Sequence, residues 1–447
     1  MVENICAKAT PYGASAIAII RCSGPDAIIL VNKIFKGCDL SKVSSHTMHY
    51  GRIVDGKEII DEVLCNVFIA PTSYDGENMV EINCHGGVLV TGKILQLLLK
   101  IGFRMAEPGE FSKRAFLNHK LDLTQAEAIM DVIHAENTIA LRAGQNALRQ
   151  STTKLITSFR EKLLDVLAKI EVNIDYPEYE DSIEITREYL LPVLEVVQKD
   201  MKKILQNSKI SNLAIHGIHT VIIGKPNVGK SSLLNMLLDE DKAIVTDVPG
   251  TTRDIIEGSF TIGDLTLHLM DTAGIHQSLD IVEKIGIERS TKAMESADLV
   301  LVVVDASKPL EQEDYDILES AKNKPTILIG NKQDQGITIS REDDLVLMSA
   351  KHHQGLEALI AAIKKVTQIQ QFNVDEDKFL ANQRQIHFMQ QAADAIDQAQ
   401  QACFLGMDID LVEIDIKRAF DALGAITGDA SPEELITALF TKFCLGK

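Results

Sequence analysis

Thr220-Val221-Ile222-Ile223-Gly224-Lys225-Pro226-Asn227-Val228-Gly229-Lys230-Ser231 sets a short apolar run against a glycine-bounded loop that ends in Lys-Ser. The run reads as a strand, the loop as a phosphate loop, and the residues after Ser231 as a helix. In that arrangement, backbone N–H groups of the loop and of the helix N-terminus cradle phosphates. Lys230 reaches the β/γ oxygens and the Ser231 hydroxyl ligates magnesium. Moving outward, short continuous apolar strands recur at 265–270, 299–304, 326–329 and 345–348, with helical stretches between them. Uninterrupted apolar strands of this kind belong to a mainly parallel sheet covered on both faces. Residues 216–370 therefore read as an α/β domain of the Ras-like P-loop type, inserted between helical segments.

The motifs downstream point to the base. Asp271-Thr272-Ala273-Gly274 closes a strand, with Asp271 placed to hold a magnesium-bound water and Gly274 to sense the γ-phosphate. Asn331-Lys332-Gln333-Asp334 follows another strand, and the Asp334 carboxylate can accept both hydrogens that guanine offers from N1 and N2. Ser349-Ala350-Lys351 follows the last strand, where a backbone N–H meets guanine O6. Each is a weak four-letter match alone; in order, each at a strand end, they indicate GTP. The expected nucleotide contacts are Asn227 to Ser232 (including Val228 and Gly229) and the first-switch residues Thr246, Asp247, Val248, Pro249, Gly250, Thr251 and Thr252. To these are added Asp271 to Gly274, Asn331, Lys332, Asp334 and Ser349 to Lys351. Thr252 is the second expected magnesium ligand beside Ser231. Ras-like enzymes carry glutamine directly after Asp-x-x-Gly to orient the attacking water, whereas this chain has Ile275. Asp280, Glu283 and Glu288 are the acidic candidates nearby; Arg253, followed by Asp254, reads as a structural ion pair rather than a finger in cis.

The flanks have another texture. Leu155, Phe159, Leu163, Val166 and Ile170 recur at helical spacing, and a second helix is predicted from 187 to about 206 after the acidic stretch Asp175 to Asp181. Ile386, Met389, Ala393, Ile396, Ala399 and Cys403 trace another helical face, and Ser431-Pro432-Glu433-Glu434 reads as a helix start. Residues 119–215 and 371–447 are thus expected to form one discontinuous all-α domain. Residues 1–118 read as α+β, with strands at 16–21, 63–69 and 79–84. An Asp55-Gly56 hairpin turn is predicted, and a helix from 88 to 100 after His85-Gly86-Gly87.

Composition narrows the function classes. The chain has 447 residues, enough for about three domains. Its net charge of −19 repels nucleic acid as a whole, so RNA contact needs a local basic patch or a partner. The seven cysteines are an odd set with no C-x-x-C pair, against a disulfide framework or a zinc ribbon. No apolar run is long enough to span a bilayer, and Glu3 stands where a signal peptide carries positive charge, so a cytoplasmic protein without a membrane partner is expected.

Ala9-Thr10-Pro11, Arg21-Cys22-Ser23-Gly24, His85-Gly86-Gly87, Arg114 to Asn118 and the terminus Cys444-Leu445-Gly446-Lys447 complete a resemblance along the whole chain. The sequence resembles the MnmE (TrmE) family of bacterial and organellar tRNA-modification GTPases. The resemblance implies a GTPase that works with a flavoprotein partner, MnmG (GidA), which carries FAD, in a heterotetramer or larger complex. Together they install an aminomethyl or carboxymethylaminomethyl group at C5 of the wobble uridine of certain tRNAs. It implies that the N-terminal domain mediates a homodimer and binds 5-formyl- or methylene-tetrahydrofolate through Arg21, Glu81, Lys120 and Lys447. It also implies potassium in place of an arginine finger, held by Asn227, Thr246, Val248 and Thr251, hydrolysis driven by dimerisation of the GTPase domains, and Glu283 as the residue that positions water. Cys444 is either a nucleophile in the modification chemistry or a side chain packed near folate. His276 departs from the arginine expected in the family, and Leu445 from its isoleucine or valine. The competing reading is a ribosome-assembly GTPase of the Era/EngA type; such proteins append a basic RNA-binding module, and here the flanks are helical and acidic.

Overall fold

A computed structural model describes residues 3–175, 187–238, 256–270, 294–339, 345–429, 433–443 and 445–447. They form two compact units, Met1–Met130 with Phe420–Lys447, and Asp131–Ala419. The architecture is multidomain, combining an α+β part, helical parts and a P-loop α/β part. Among the described residues, no helix is long and apolar enough to cross a membrane.

The first unit is built on a sheet of seven strands: β1 (Ile5–Lys8), β2 (Ser15–Ser23), β3 (Phe35–Lys36), β4 (Thr47–Asp55), β5 (Glu58–Phe68), β6 (Met79–Gly86) and β7 (Arg104–Met105). Their order is β3-β4-β5-β6-β2-β1-β7. All neighbours are antiparallel except β1 and β7. Alternation decides which face is buried. Ala18, Ile20 and Cys22 of β2 and Val63, Cys65 and Val67 of β5 point into one core with Val31, Ile94 and Leu98, which come from helices Ala27–Ile34 and Val88–Lys100. The Asp55-Gly56 turn joins β4 to β5 as expected, and the strand predicted at 63–69 is the far half of one longer strand beginning at Glu58. Strands β1, β3 and β7 escape prediction because each is two to four residues long, below the length at which periodicity can be read.

The carboxy-terminal residues complete this unit. Helix Glu433–Phe440 lies on helix Glu110–Leu117, with Phe440 6.3 Å from Phe116 and 5.0 Å from Phe443 between ring centroids. The predicted cap at Ser431-Pro432 lies outside the described residues.

The second unit holds a sheet of six strands: β8 (Ile218–Ile223), β9 (Ile256–Ile262), β10 (Leu265–Met270), β11 (Leu299–Asp305), β12 (Thr326–Asn331) and β13 (Leu345–Leu347). Their order is β13-β12-β11-β8-β10-β9. Every pair is parallel except the edge pair β9–β10. The fully apolar strands are explained by two cores. Leu299, Leu301 and Val303 face Leu233, Leu237, Leu359 and Ile363 on one side, while Val300, Val302 and Val304 face Val221, Ala297 and Ala321 on the other. The chain winds outward from β8 to β9 and β10, then returns to β11 on the opposite side of β8, so the winding reverses at β8. Crevices at the carboxyl ends of strands next to such a reversal are where open α/β sheets bind ligands.

The helices of this unit follow their apolar stripes. Phe159, Leu163, Val166 and Ile170 are buried within helix Ser151–Asp175. The helix predicted to stop near 206 runs from Arg187 to His216, and it pairs with Gln383–Leu405. Its last turns continue because Asn207 donates to the Lys378 carbonyl (3.1 Å), while the Ser208 hydroxyl accepts the Leu380 N–H (2.9 Å). These long-range bonds outweigh the weak propensity of Asn and Ser for a helix interior.

Glu110 is the best-tied carboxylate of the first unit. It is 8% exposed and receives Arg104 at 2.7 Å, Arg114 at 2.9 Å and the Glu107 N–H at 2.9 Å. Burial alone would raise its pKa; the bonds from Arg104, the Glu107 N–H and Arg114 outweigh it and bring the pKa down to about 2. A folded-state pKa below the unfolded one stabilises above the unfolded value near 4.5 and stops doing so as pH falls through 2. Glu110→Gln is expected to cost on the order of 3 kcal/mol at neutral pH. The deficit in melting temperature against wild type should shrink steadily between pH 4.5 and 2 when both are followed by calorimetry.

Candidate functional site

The expected phosphate-loop and base-recognition residues converge at the carboxyl ends of β8, β12 and β13. The loop 224–229 leaves β8, Asn331 ends β12, and Ser349 and Ala350 follow β13. Asn331 joins them. Its Nδ2 donates to the Val228 carbonyl at 3.0 Å, and its Oδ1 accepts the Ala350 N–H at 3.0 Å. The side chain is almost wholly buried, so both bonds are made away from water. Gly229 makes the approach possible. Its φ is +98°, and a Cβ there would sit 2.1 Å from Asn331 Nδ2.

Lys332 approaches the loop one residue earlier. Its ammonium donates to the Asn227 carbonyl at 2.8 Å and to Asp305 Oδ2 at 2.7 Å. Asn227 itself adopts a left-handed φ of +64°, uncommon outside glycine but open to asparagine. Among the described residues its exposed side-chain amide makes no hydrogen bond, so its oxygen is open to a ligand. Lys230 spans the loop, donating to the Gly224 and Lys225 carbonyls at 2.7 Å each, and burial draws its pKa down. Ser231 and Ser232 stand exposed in the first turn of helix Lys230–Leu238, whose N-terminal N–H groups and dipole favour anions.

Asp334 accepts the Ser349 hydroxyl at 2.5 Å, which lowers its pKa and keeps it anionic. His352 stands 3.8 Å from its other oxygen. Of the backbone N–H groups on the Ser349–Lys351 turn, one of which was expected to meet guanine O6, that of Ala350 is engaged by Asn331. Lys351 is exposed on the same turn. Thr246 to Thr252, Asp271 to Gly274 and Glu283 lie outside the described residues, as do Arg253, Asp254, Ile275 and His276. Sequence reasoning missed Asp305. The available signal was a carboxylate closing an apolar parallel strand at its ligand-facing end.

A second cluster forms in the first unit. Arg21 and Glu81 are directly paired across β2 and β6, with Arg21 Nε and Nη2 donating to Glu81 Oε1 at 3.1 and 2.9 Å. Arg21 Nη1 donates to the Gly446 carbonyl at 3.1 Å, and its guanidinium lies 5.1 Å from the Tyr74 ring and 5.5 Å from Phe111. Gly446 has φ +88°, and a Cβ would fall 2.7 Å from both Ala9 Cα and the Lys8 carbonyl, so only glycine lets the tail lie so close to β1. Lys447 comes next, half-buried and engaged. Lys120 is exposed and donates to the Pro71 carbonyl at 3.1 Å; it joins the cluster through the segment that carries Tyr74 rather than by touching Arg21. Tyr74 and Phe111 were not anticipated, because only long-range packing brings them to Arg21. Cys444 lies outside the described residues.

Comparison with known proteins agrees along the full chain. A family model described as the MnmE helical domain matches residues 123–444, and one described as the GTP-binding protein TrmE N-terminus matches residues 4–120. A Streptococcus thermophilus protein named tRNA modification GTPase MnmE is 47% identical over 449 residues, covering 100% of this chain and 98% of its own length. A protein of the same name from Lacticaseibacillus paracasei is 47% identical over 455 residues with the same coverage. Among solved structures, the G domain of the T. maritima FeoB iron transporter is 32% identical and covers 34% of this chain and 99% of its own, at a TM-score of 0.25.

Asn331→Ala would strand the Val228 carbonyl and the Ala350 N–H together, at roughly 1–3 kcal/mol for each buried group left unpaired. Binding of a fluorescent guanine nucleotide is expected to weaken at least about tenfold, measured by titration beside wild type.

Proposed function

The chain belongs to the MnmE (TrmE) family of tRNA-modification GTPases, and on that premise we propose how its residues carry out the family's work. It is a GTP-hydrolysing enzyme acting in tRNA modification. The observation that carries the GTP reading is the Asn331 bridge, because one side chain ties the phosphate loop to the turn that meets the base.

In this reading the Asp334 carboxylate accepts guanine N1–H and N2–H, and the Lys351 N–H is left for O6 because Asn331 holds that of Ala350. The loop Asn227 to Ser232 wraps the phosphates and Lys230 moves from the loop carbonyls to the β/γ oxygens. Thr246 to Thr252 and Asp271 to Gly274 complete the nucleotide shell from the switches. Ser231 and Thr252 hold magnesium, which when bound neutralises phosphate charge. The exposed Asn227 amide, without a hydrogen bond among the described residues, suits a weakly hydrated monovalent cation. With Thr246, Val248 and Thr251 it would hold potassium, which supplies the positive charge of an arginine finger. Glu283 positions the attacking water, and pairing of two GTPase domains drives hydrolysis.

The Arg21 cluster suits a tetrahydrofolate derivative. Arg21 and the ammonium groups of Lys120 and Lys447 offer donors for its glutamate carboxylates, Glu81 an acceptor for pterin N–H groups, and the Tyr74 and Phe111 rings apolar faces. Arg21 holds Glu81 through Oε1, and the second oxygen is the one we assign to the pterin. The one-carbon unit of 5-formyl- or methylene-tetrahydrofolate would be used at C5 of the wobble uridine, with Cys444 close to that chemistry. A homodimer working in the cytoplasm with the flavoprotein MnmG and its FAD, on tRNA, completes the proposal. The functional division is 1–118 for folate and dimerisation, 119–215 with 371–447 for the helical part, and 216–370 for GTP. The Era-type alternative is not favoured, since matches to the TrmE N-terminus and the MnmE helical domain flank the nucleotide motifs.

Asp334→Asn is expected to weaken GTP roughly a hundredfold or more and to improve xanthosine triphosphate, since the amide donates to the extra carbonyl of that base. Competition binding with both nucleotides measures it, and unchanged GTP affinity would remove Asp334 from the base site.

Potassium and rubidium should stimulate hydrolysis and sodium should not, at matched ionic strength, and Asn227→Ala should abolish the difference. Equal steady-state rates in the three salts would remove the cation site.

A further inference from the structure

The phosphate loop is braced from behind by a segment that belongs to no nucleotide motif, the connection 305–314 from the end of β11 into helix Gln312–Ala321. Two ammonium groups from opposite directions land on it. Lys332 reaches Asp305 while it pins the Asn227 carbonyl. Lys225, the second residue of the loop, reaches Glu311 Oε2 at 2.7 Å and Asp314 Oδ2 at 2.8 Å. A cleft of about 260 Å³ lies among these groups, lined by Lys225, Asn227, Asp305, Glu311, Asp314 and Lys332 together with their neighbours.

The two carboxylates that receive Lys225 differ in weight. Glu311 is 69% exposed at its side chain, and an exposed pair contributes little. Asp314 is 3% exposed, its Oδ2 also accepts the Glu311 N–H at 2.9 Å, and among the described residues its buried Oδ1 has no hydrogen-bond partner. A buried carboxylate in that position depends on its cation, and the removal of either member is costly. The hydrogen bonds that the Lys225 ammonium donates to Asp314 and Glu311 raise its pKa above the ordinary lysine range.

We propose that Lys225 and Asp314 are a positioning pair that presets the phosphate loop for nucleotide, a role that rests on the GTP reading above. The pair fixes residue 225, the ring of Pro226 fixes its own φ, and Lys332 with Asn331 fixes the carbonyls of residues 227 and 228. The loop is thus clamped on both shoulders before phosphate arrives. Ordering it at the moment of binding would otherwise subtract from affinity. Neither side chain touches the nucleotide; both act through the loop backbone. Once nucleotide is bound, its phosphates hold the loop themselves, so the pair affects binding far more than the chemical step.

The test uses the full chain with Lys225→Met, Asp314→Asn and the double variant; asparagine at 314 keeps an oxygen for the helix cap. Dissociation constants for fluorescent GDP, kcat and KM for GTP, and melting without nucleotide are measured together. Each single variant is expected to weaken GDP about tenfold and raise KM in step, with kcat changed less than about twofold. The double variant should be no worse than the weaker single, because one interaction is lost in each case, and Lys225→Arg should restore affinity. Wild-type affinity in both singles, losses that multiply in the double, or a fall in kcat at unchanged KM would each overturn the pair. Failure of the wild-type chain to bind GDP would instead overturn the GTP reading on which it rests.

Discussion

The nucleotide end of this molecule depends on a single buried amide. Asn331 is the point where β12 ends, and its two hydrogen bonds require the phosphate loop and the turn after β13 to stand at one separation. Gly229 exists to let that amide in, and Lys332 and Asp305 extend the same constraint to the neighbouring carbonyl. The loop after β8 and the turn after β13 are therefore not two adjacent features but one rigid object. A shift in either is transmitted to the other through groups that have no water to fall back on.

The first unit has a comparable centre in Arg21. Its guanidinium is shared between a cross-strand carboxylate and a carbonyl of the tail, and it is bordered by two aromatic rings. The planar fork of arginine satisfies both acceptors at once, which lysine could not do with the same geometry. Ion pairing here serves placement: the tail is seated by a charge that is itself fixed by the sheet.

Much of this was legible in the amino-acid sequence, and the limits have physical causes. The strands β8, β10 and β11 announced themselves because a sheet buried on both faces needs continuous apolar runs, and helix Val88–Lys100 because Gly87 precedes a long apolar stretch. The proposed GTP residues were read from motifs whose order reflects chemistry, and the structure brings the described ones, from β8, β12 and β13, to one end of the sheet. What escaped was anything decided by distant partners. The extension of the helix to His216 comes from bonds to residues 378 and 380, Asp305 and Asp314 gain their importance from lysines 27 and 89 positions away, and Tyr74 meets Arg21 only by packing. The short edge strands β3 and β7 carry no periodicity to read.

The bond from Arg21 to the Gly446 carbonyl spans a sequence separation of 425 residues. On a ribosome adding 5–20 residues each second, Arg21 therefore waits roughly 20–85 s for its partner. The sheet that is synthesised first is the structure that is finished last. Until the tail arrives, Arg21 has its Glu81 partner but not the Gly446 carbonyl, while the whole nucleotide domain has had time to form. A chain cut before residue 433 would keep every strand of the second sheet and lose the carbonyl that Arg21 holds, so that the two units would report separately on the loss of the same few residues.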